Sequence, residues 1–181
     1  TPGPRLTPSR KVDPGFEFNY VAPLSRRFGL TLSAGTLVLA NNAALGTGTF
    51  TVNGGVVDAS PAATITNAIT LGADRTITVS ANNLTLGGAI GGSGRALLKA
   101  GAGTLTLAGA NTYDGGTSIT AGTLATTGNN RLAATSGVTL AAGATLSLGG
   151  TETIENLTNG GTVNLNGVGA NLSTGTAGGT L

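Results

Sequence analysis

The fold of this chain is decided by residues 97–124, LLKAGAGTLTLAGANTYDGGTSITAGTL. Leu105 and Leu107 alternate there with Thr104 and Thr106, which places the leucines on one face of an extended segment and the threonines on the other. Aliphatic residues that alternate with β-branched threonine are typical of a half-buried strand. The stretch therefore predicts short strands that are separated by glycine-containing turns.

The same alternation continues through the body of the chain, and glycine or asparagine interrupts it at short intervals. We predict strands at 36–39, 49–53, 64–71, 76–79, 84–86, 104–107, 117–120, 124–126, 138–140, 145–148, 153–157 and 162–166. No window has the apolar stripe of an amphipathic helix, so we expect very little helix.

A longer repeat underlies these strands. The segment 33–55 recurs in the segment 120–150, and the tetrad AGTL occurs at 34–37 and again at 121–124. Internal recurrence is expected of a solenoid, in which each coil stacks on a similar neighbour. With coils of about 20 residues, the body would hold about seven coils. The sequence thus predicts an all-β fold, a right-handed parallel β-helix, with a β-sandwich as the second possibility.

The composition excludes several other classes. Of 181 residues, 32 are glycine, six are aromatic and 9% are charged, and the mean hydropathy is +0.24. Low charge and positive hydropathy are the reverse of the pattern of disordered chains. The absence of cysteine excludes disulfides, and the absence of histidine removes the commonest general base and zinc ligand.

The charge divides the chain into two parts near residue 29. Residues 1–28 carry a local charge of +3, five of the six prolines and four of the six aromatic residues, whereas residues 29–181 carry a charge of −1. We interpret 1–28 as a proline-rich basic leader whose aromatic strand, 16–20, either caps the β-helix or belongs to an outer-membrane barrel hairpin. Residues 29–181 would form the β-helix, as a fragment of a longer protein.

A body this neutral has little attraction for nucleic acid, so no nucleic-acid partner is expected.

Few residues have the arrangement that catalysis needs. Glu152 and Glu155 are the only neighbouring acids in the body, and we interpret them as a solvated pair rather than as a glycosidase pair. Asp114 is expected in a turn that accepts backbone N–H groups, because the calcium-binding nonapeptide pattern is absent. Nucleophile-elbow and phosphate-binding motifs are absent as well. The sequence thus predicts no enzyme, no catalytic or metal-binding residue, no cofactor and no small-molecule substrate.

Two other residue types invite a local interpretation. Asn42, Asn83 and Asn130 each follow another asparagine, and we expect them at corners because asparagine tolerates the left-handed region.

The pairs Thr49/Thr51, Thr76/Thr78 and Thr104/Thr106 would suit a flat face that orders water or adsorbs to a crystalline polysaccharide. Successive pairs lie farther apart in sequence than one coil, which argues against a continuous row.

Residues 97–124 resemble the passenger-associated transport repeat, or autotransporter-associated β-strand repeat, of bacterial autotransporter passenger domains. The resemblance runs through Leu97, Lys99, Gly101, Gly103, Thr104, Leu105, Leu107, Gly109, Asn111, Thr112, Tyr113, Gly115, Gly116, Thr117, Ile119, Gly122, Thr123 and Leu124.

This resemblance implies a structural function. It implies a β-helical stalk that is secreted or displayed at the bacterial cell surface, assists its own export, and is attached in the parent protein to an outer-membrane translocation barrel. An adhesin that binds host or surface glycans is the alternative, for which Tyr113 and the leader aromatics are the only candidate contacts. A polysaccharide lyase or hydrolase, or a fragment of an outer-membrane receptor, is a weaker alternative.

Overall fold

A computed structural model describes residues 29–42, 45–54, 56–59 and 61–174. This part of the chain contains strands and no helix. The strands are β1 (Leu30–Leu32), β2 (Thr36–Leu39), β3 (Phe50–Val52), β4 (Val56–Ala59), β5 (Ala63–Ile65), β6 (Ile69–Leu71), β7 (Arg75–Thr78), β8 (Asn83–Leu86), β9 (Ile90–Gly91), β10 (Leu97–Ala100), β11 (Thr104–Leu107), β12 (Thr117–Ile119), β13 (Thr123–Thr126), β14 (Val138–Leu140), β15 (Thr145–Leu148), β16 (Thr151–Ile154), β17 (Leu157–Asn159), β18 (Thr162–Leu165) and β19 (Asn171–Thr174).

These strands form three sides of a solenoid, and the strands within each side are parallel. Side one is the seven-stranded sheet β2-β4-β7-β10-β12-β14-β17, and side two is the six-stranded sheet β5-β8-β11-β13-β15-β18. Side three consists of two sheets, β1-β3-β6-β9 and β16-β19. The chain visits the sides in a fixed order, so each strand pairs with a strand one coil away and not with its neighbour in sequence.

The register gives the length of a coil. Leu97 pairs with Arg75 in the preceding coil and with Thr117 in the following coil, and Val138 pairs with Leu157. Segments 75–96, 97–116 and 138–156 are therefore single coils, in agreement with the predicted length of about 20 residues. The predicted all-β parallel β-helix is confirmed, as a parallel β-solenoid of about seven turns. The β-sandwich is excluded, because its sheets would be antiparallel.

The core consists of aliphatic columns that run along the solenoid axis. On side two, Leu84, Leu105, Leu124 and Leu146 lie in register in successive coils, and each is fully buried. Each added coil removes its inward aliphatic side chains from water. This burial stabilises the fold by about 25 cal/mol per Å² of apolar surface. Small inward residues and the nearly complete lack of large aromatics suit this narrow interior.

Two predicted strands were wrong because corners interrupt them. The predicted strand 64–71 is divided between β5 and β6, and the predicted strand 153–157 is divided between β16 and β17. Inside the first segment Ile65, Asn67 and Ile69 are all buried, so the alternation of inward and outward residues runs through the corner. Alternation alone therefore cannot distinguish a bent segment from a straight one.

The recurrent tetrad AGTL does not mark the same side of the solenoid. Its first copy, 34–37, leads into β2 on side one, whereas its second copy, 121–124, leads into β13 on side two. The separation of the two copies is therefore not a whole number of coils. The tetrad encodes a tight turn followed by a half-buried strand, and both sides use this combination.

Two further expectations concern other features of the chain. The leader 1–28 and its aromatic strand lie outside the described residues. Among the residues that are described, no helix has the length and hydropathy needed to cross a membrane.

Candidate functional site

The repeat segment 97–124 lies in the middle of the solenoid and supplies parts of two coils. Its inward and buried residues are Leu97, Lys99, Leu105, Leu107, Asn111, Tyr113, Thr117, Ile119 and Leu124. Its corner residues are Gly101, Gly103, Gly109, Gly115, Gly116 and Gly122. Thr104, Thr112 and Thr123 are at least partly exposed. These residues thus form part of the wall of the solenoid and its corners.

Lys99 lies inside the core. It stands in register between Ile77 and Ile119 in a column of aliphatic residues on side one, and its side chain is 0% exposed. Its Nζ donates to the carbonyl oxygens of Ala100 and Gly101, each at 2.8 Å, and to that of Ala121 in the next coil at 3.1 Å. The methylene stem therefore continues the column, while the ammonium group ties together two successive corners.

This environment changes the acidity of Lys99. Burial lowers the pKa of Lys99 from 10.5 to about 8, and the negative charge of Asp58 acts in the opposite direction. The hydrogen bonds to three carbonyl oxygens satisfy all three donors of the ammonium group. Sequence reasoning included Lys99 in the motif but gave no reason for a lysine at that position.

Two glycines make this corner possible. Gly101 has φ = 79° and Gly122, one coil later, has φ = 65°, both in the left-handed region. A Cβ atom on Gly122 would lie 2.4 Å from the carbonyl oxygen of Gly101. The stacked corners approach so closely that only glycine fits at this position.

Side three is interrupted beside the repeat segment. Its first sheet ends at β9 and its second begins at β16, and within the described residues no strand covers this side in the intervening two coils. Asn111 bridges part of the interruption: its amide oxygen accepts from the N–H of Ile90 at 2.8 Å, and its Nδ2 donates to the carbonyl oxygen of Arg131 at 2.6 Å. One buried side chain thus joins the coil below to the coil above.

Glu152 continues this bridge into the next coil. Its carboxylate is 0% exposed and accepts from the N–H of Arg131 at 3.0 and 2.8 Å and from the N–H of Leu132 at 2.9 Å. A buried carboxylate needs such donors, because without them the loss of hydration would be very costly. The interpretation of Glu152 and Glu155 as a solvated pair was therefore wrong for Glu152, and only Glu155 is exposed.

Tyr113 fills the core at the same interruption. Its ring is 0% exposed, and its hydroxyl lies 2.7 Å from Oγ1 of Thr117. Burial raises the pKa of Tyr113 to about 12, the hydrogen bond to Thr117 opposes this shift, and the charge of Glu152 adds to it. A buried ring cannot stack on a sugar, so Tyr113 is not available as the exposed glycan contact that an adhesin would need.

The other acidic side chains act as clamps between coils. Asp58 accepts from N–H and Oγ of Ser80 in the next coil, at 3.1 and 2.6 Å, and Asp74 accepts from the N–H of Ala96 at 3.0 Å. Asp114 accepts from the N–H of Gly94 and from Oγ of Ser93. The prediction that Asp114 accepts backbone N–H groups is confirmed, although the donor lies in the previous coil. The signal that could have revealed these clamps is the sequence separation between acid and donor, which is close to the length of one coil.

Of the three asparagines that were predicted at corners, one lies in a strand instead. Asn130 adopts φ = 52° at a corner, as expected, and Asn42 accepts from the N–H of Thr64 at 2.7 Å. Asn83 lies in β8, so its assignment to a corner was wrong. The amide of Asn67, which sequence reasoning missed, donates to the carbonyl oxygens of three residues in the previous coil, Leu45, Gly46 and Gly48, at 3.4, 3.2 and 2.7 Å.

The outward threonines form no continuous row, as their spacing in the sequence indicated. The pair Thr49/Thr51 belongs to β3 and the turn before it, Thr76/Thr78 to β7 and Thr104/Thr106 to β11, so the three pairs lie on three different sides. Thr126, like Thr117, points inward: Oγ1 of Thr126 is buried, and within the described part of the chain it has no hydrogen-bond partner. Thr126 stands between Leu107 and Leu148 in an otherwise aliphatic column.

Most acidic side chains of the described residues bond to neighbouring coils. The carboxylates of Asp58, Asp74, Asp114 and Glu152 all accept hydrogen bonds from neighbouring coils. Across the described ranges, no group of three or more potential metal-ligating acids lies close enough together to hold an ion. These four carboxylates thus fasten one coil to the next.

The fold and these clamps place the chain among solenoid repeat proteins, whose coils contact only their neighbours. Comparison with family models identifies the repeat: the passenger-associated-transport-repeat matches at residues 30–59 and again at 97–125, so the resemblance predicted from the sequence is confirmed. The chain therefore carries two copies of a repeat that is associated with autotransporter passengers. Searches of curated proteins and of solved structures gave no match.

The two copies do not begin on the same side of the solenoid. The first begins at β1 on side three and the second at β10 on side one. The second copy, 97–125, extends beyond the single coil 97–116, so a copy is a unit of sequence and not a unit of the spiral.

Proposed function

We propose that this chain is a structural, export-assisting stalk segment of a secreted or surface-displayed autotransporter passenger. The observation that carries the proposal is the second repeat copy, 97–125, whose buried Lys99 and Asn111 each join successive coils. A stalk needs coils that are bonded to one another along its axis, and this segment supplies such bonds at two corners.

The physical logic of export supports the same function. Stacking is local, because each strand pairs only with strands one coil away. Each coil that forms outside the membrane buries aliphatic surface on the coil already present, and this gain in free energy can bias the chain outward without ATP. The outer-membrane translocation barrel of the parent protein would be the partner in this step.

We also propose that the segment has no catalytic activity and no cofactor. Four of the five carboxylates between Asp58 and Glu155 have backbone or serine donors in adjacent coils. A carboxylate that is held in this way is poorly placed to act on an external substrate.

The test compares two deletions that each remove one coil without shifting the register. Deleting 97–116 removes β10 and β11 and brings Thr117 to the position of Leu97, because these residues are register partners. Deleting 75–96 removes β7, β8 and β9 and brings Leu97 to the position of Arg75. Both deletions are made in the full-length parent protein, and surface display is measured by accessibility of the passenger to antibody and to external protease.

We expect the deletion of 97–116 to lower display several-fold more than the deletion of 75–96. Equal display of the two variants, or unchanged display when 97–124 is deleted, would contradict an export role for this segment. Total protein is measured in parallel, so that loss of display is separated from loss of expression.

A further inference from the structure

Three asparagines of the solenoid are each followed directly by a glycine. Asn53 follows β3 on side three, Asn159 ends β17 on side one, and Asn166 follows β18 on side two. An Asn-Gly bond is unusually labile, because the glycine has no side chain that obstructs attack of its backbone nitrogen on Cγ of the asparagine. These three corners therefore meet the chemical requirement for modification of the asparagine.

The close approach of successive coils explains why glycine stands at two of these positions. A Cβ atom on Gly54 would overlap the carbonyl oxygen of Ser33 in the preceding coil, and one on Gly167 would overlap that of Gly149. A larger residue, which would shield the Asn-X bond, does not fit there. The stacking of the coils thus requires a labile pair at these corners.

The same hydrogen bond holds all three glycine nitrogens. In each case the glycine N–H donates to the carbonyl oxygen of the last residue of a strand in the preceding coil. The pairs are Gly54 to Leu32 at 3.0 Å, Gly160 to Leu140 at 2.9 Å and Gly167 to Leu148 at 3.3 Å. The attacking group is the deprotonated nitrogen, and a carbonyl acceptor favours the protonated one. This bond must therefore break before the nitrogen can react.

The side chains of two of the asparagines are held as well. Oδ1 of Asn159 accepts from the N–H of Gly161 at 3.0 Å, and Nδ2 of Asn166 donates to Oγ of Ser147 in the preceding coil at 2.6 Å. The bond to Ser147 fixes the amide nitrogen that would leave during the reaction. It adds to the backbone bond of Gly167, which is the longest of the three.

We propose that Asn53, Asn159 and Asn166 are modification sites that the stacked coils keep closed and that open one coil at a time. When a coil separates from the preceding one, the glycine N–H loses its acceptor. The nitrogen then bonds to Cγ of the asparagine and closes a succinimide ring, while its proton passes through solvent to the side-chain NH₂ group, which leaves as ammonia. Water then opens the ring to aspartate or isoaspartate.

This modification makes the opening of a coil permanent. Isoaspartate carries the main chain through the former side chain and lengthens it by a methylene group. At Asn53 the change displaces the amide group that lies against Gly72 of the next coil. A modified corner therefore no longer matches its neighbours, and the modified residue marks a coil that has opened.

The first test compares the folded and the unfolded chain. The purified protein is incubated in mildly alkaline buffer with and without denaturing urea, and peptide mass spectrometry follows the conversion of each asparagine. Labelling by an isoaspartyl methyltransferase identifies isoaspartate. We expect conversion at all three sites in urea, and conversion at least about tenfold slower at each site in the folded chain, because reaction must wait for local opening.

The second test loosens one coil and leaves the Asn-Gly pairs intact. The variant Leu140→Ala removes buried volume from β14 but keeps the carbonyl oxygen that accepts from Gly160. We expect conversion at Asn159 to become roughly tenfold faster and conversion at Asn53, several coils away, to stay unchanged. Thr139→Ala, at an exposed outward position of the same strand, is the matched control and should change neither rate.

A milder variant tests the side-chain bond at Asn166. Ser147→Ala removes the acceptor of its amide group at a partly exposed position. Conversion should become several-fold faster at Asn166 alone. Circular dichroism verifies that each variant is folded, and Ser147→Ala provides the test of local protection if Leu140→Ala does not fold.

Three results would overturn the proposal. They are conversion in the folded wild-type chain as fast as in urea, no conversion in urea, and acceleration in the folded variants that is either absent or equal at all three sites. Equal acceleration would mean that protection is lost only when the whole solenoid unfolds. These experiments use the isolated chain, so their outcome does not depend on whether the segment assists export.

Discussion

At the scale of single residues, the core of this protein contains a lysine that a column of aliphatic residues would not predict. The position between Ile77 and Ile119 lies in an aliphatic column, and the methylene stem of Lys99 packs there as an aliphatic side chain would. The ammonium group of Lys99 donates hydrogen bonds to the corner carbonyl oxygens of Ala100, Gly101 and Ala121. Burial of the charge is therefore compensated by hydrogen bonds but still lowers the pKa.

The lowered pKa of Lys99 leads to a prediction about pH. Between pH 8 and pH 10 the unfolded chain holds a proton on this lysine that the folded chain has released, since the folded pKa is about 8 and the unfolded value is 10.5. Stability therefore rises with pH across this window, by about 2 kcal/mol. Thermal unfolding at a series of pH values checks this expectation.

The variant Lys99→Met is the control for this measurement, because it keeps the volume of the stem and cannot titrate. The difference in unfolding free energy between wild type and Lys99→Met should change with pH, and a constant difference would contradict the assignment. The series ends at pH 10 because the pKa of Tyr113 is raised from 10.0 to about 12 in the folded chain, which makes stability fall as the pH rises further.

The orphan hydroxyl of Thr126 leads to a prediction about packing. The variant Thr126→Val replaces the buried, partnerless hydroxyl by a methyl group of nearly the same size. We expect the unfolding free energy to increase by about 1 kcal/mol, measured by urea denaturation. Thr123→Val, which changes a partly exposed outward threonine of the same strand, should alter stability by less than about 0.5 kcal/mol. Equal stabilisation by both variants would mean that strand propensity, and not the orphan hydroxyl, is responsible.

At the scale of elements, the corners decide how coils are joined. Along the strands, backbone hydrogen bonds connect the coils without help. At the corners the strands end, and backbone groups there bond instead to side chains of a neighbouring coil: those of Ser80, Gly48, Arg131 and Leu132 bond to Asp58, Asn67, Asn111 and Glu152, respectively. The interruption of side three is the largest gap in the strand ladder of the described residues, and it is also where the buried Asn111 and Glu152 are found.

The bridge at this interruption can be tested at Glu152. The variant Glu152→Gln replaces one acceptor oxygen by an NH₂ group, which faces the N–H groups of Arg131 or Leu132. We expect a loss of about 2 kcal/mol in unfolding free energy, with faster hydrogen exchange at these two amides. Glu155→Gln, at a nearby exposed position, is the control and should change stability by less than about 0.5 kcal/mol. Unchanged exchange at both amides in Glu152→Gln would show that the bridge is not needed.

At the scale of the whole molecule, stability should be close to a sum over coils, because coils contact only their neighbours. Deleting residues 75–96 removes one of about seven coils and leaves the register intact. We expect the purified variant to remain folded and to unfold with a urea m-value lower by about one seventh, since the m-value scales with the surface exposed on unfolding. A variant that is unfolded, or one with an unchanged m-value, would mean that this coil is not an independent addition to the stack.

The sequence by itself determined the class of fold and most of its strands. Thr104–Leu107, Val138–Leu140 and Thr145–Leu148 were predicted to the residue, because alternation of aliphatic and hydroxyl side chains is a local property that one strand displays in full. The length of a coil was expected from the general size of solenoid repeats, and the register of the strands confirmed it.

Only the tertiary structure decided which strands share a side and what the polar residues do. Asp58 and Ser80, or Glu152 and Leu132, lie about one coil apart in sequence and meet because one coil returns above another. The side on which a strand lies depends on the accumulated lengths of all the preceding corners, so the same AGTL turn occurs on side one and on side two. A local pattern specifies a strand and its turn, whereas the position of that strand around the axis depends on the lengths of all the corners that precede it.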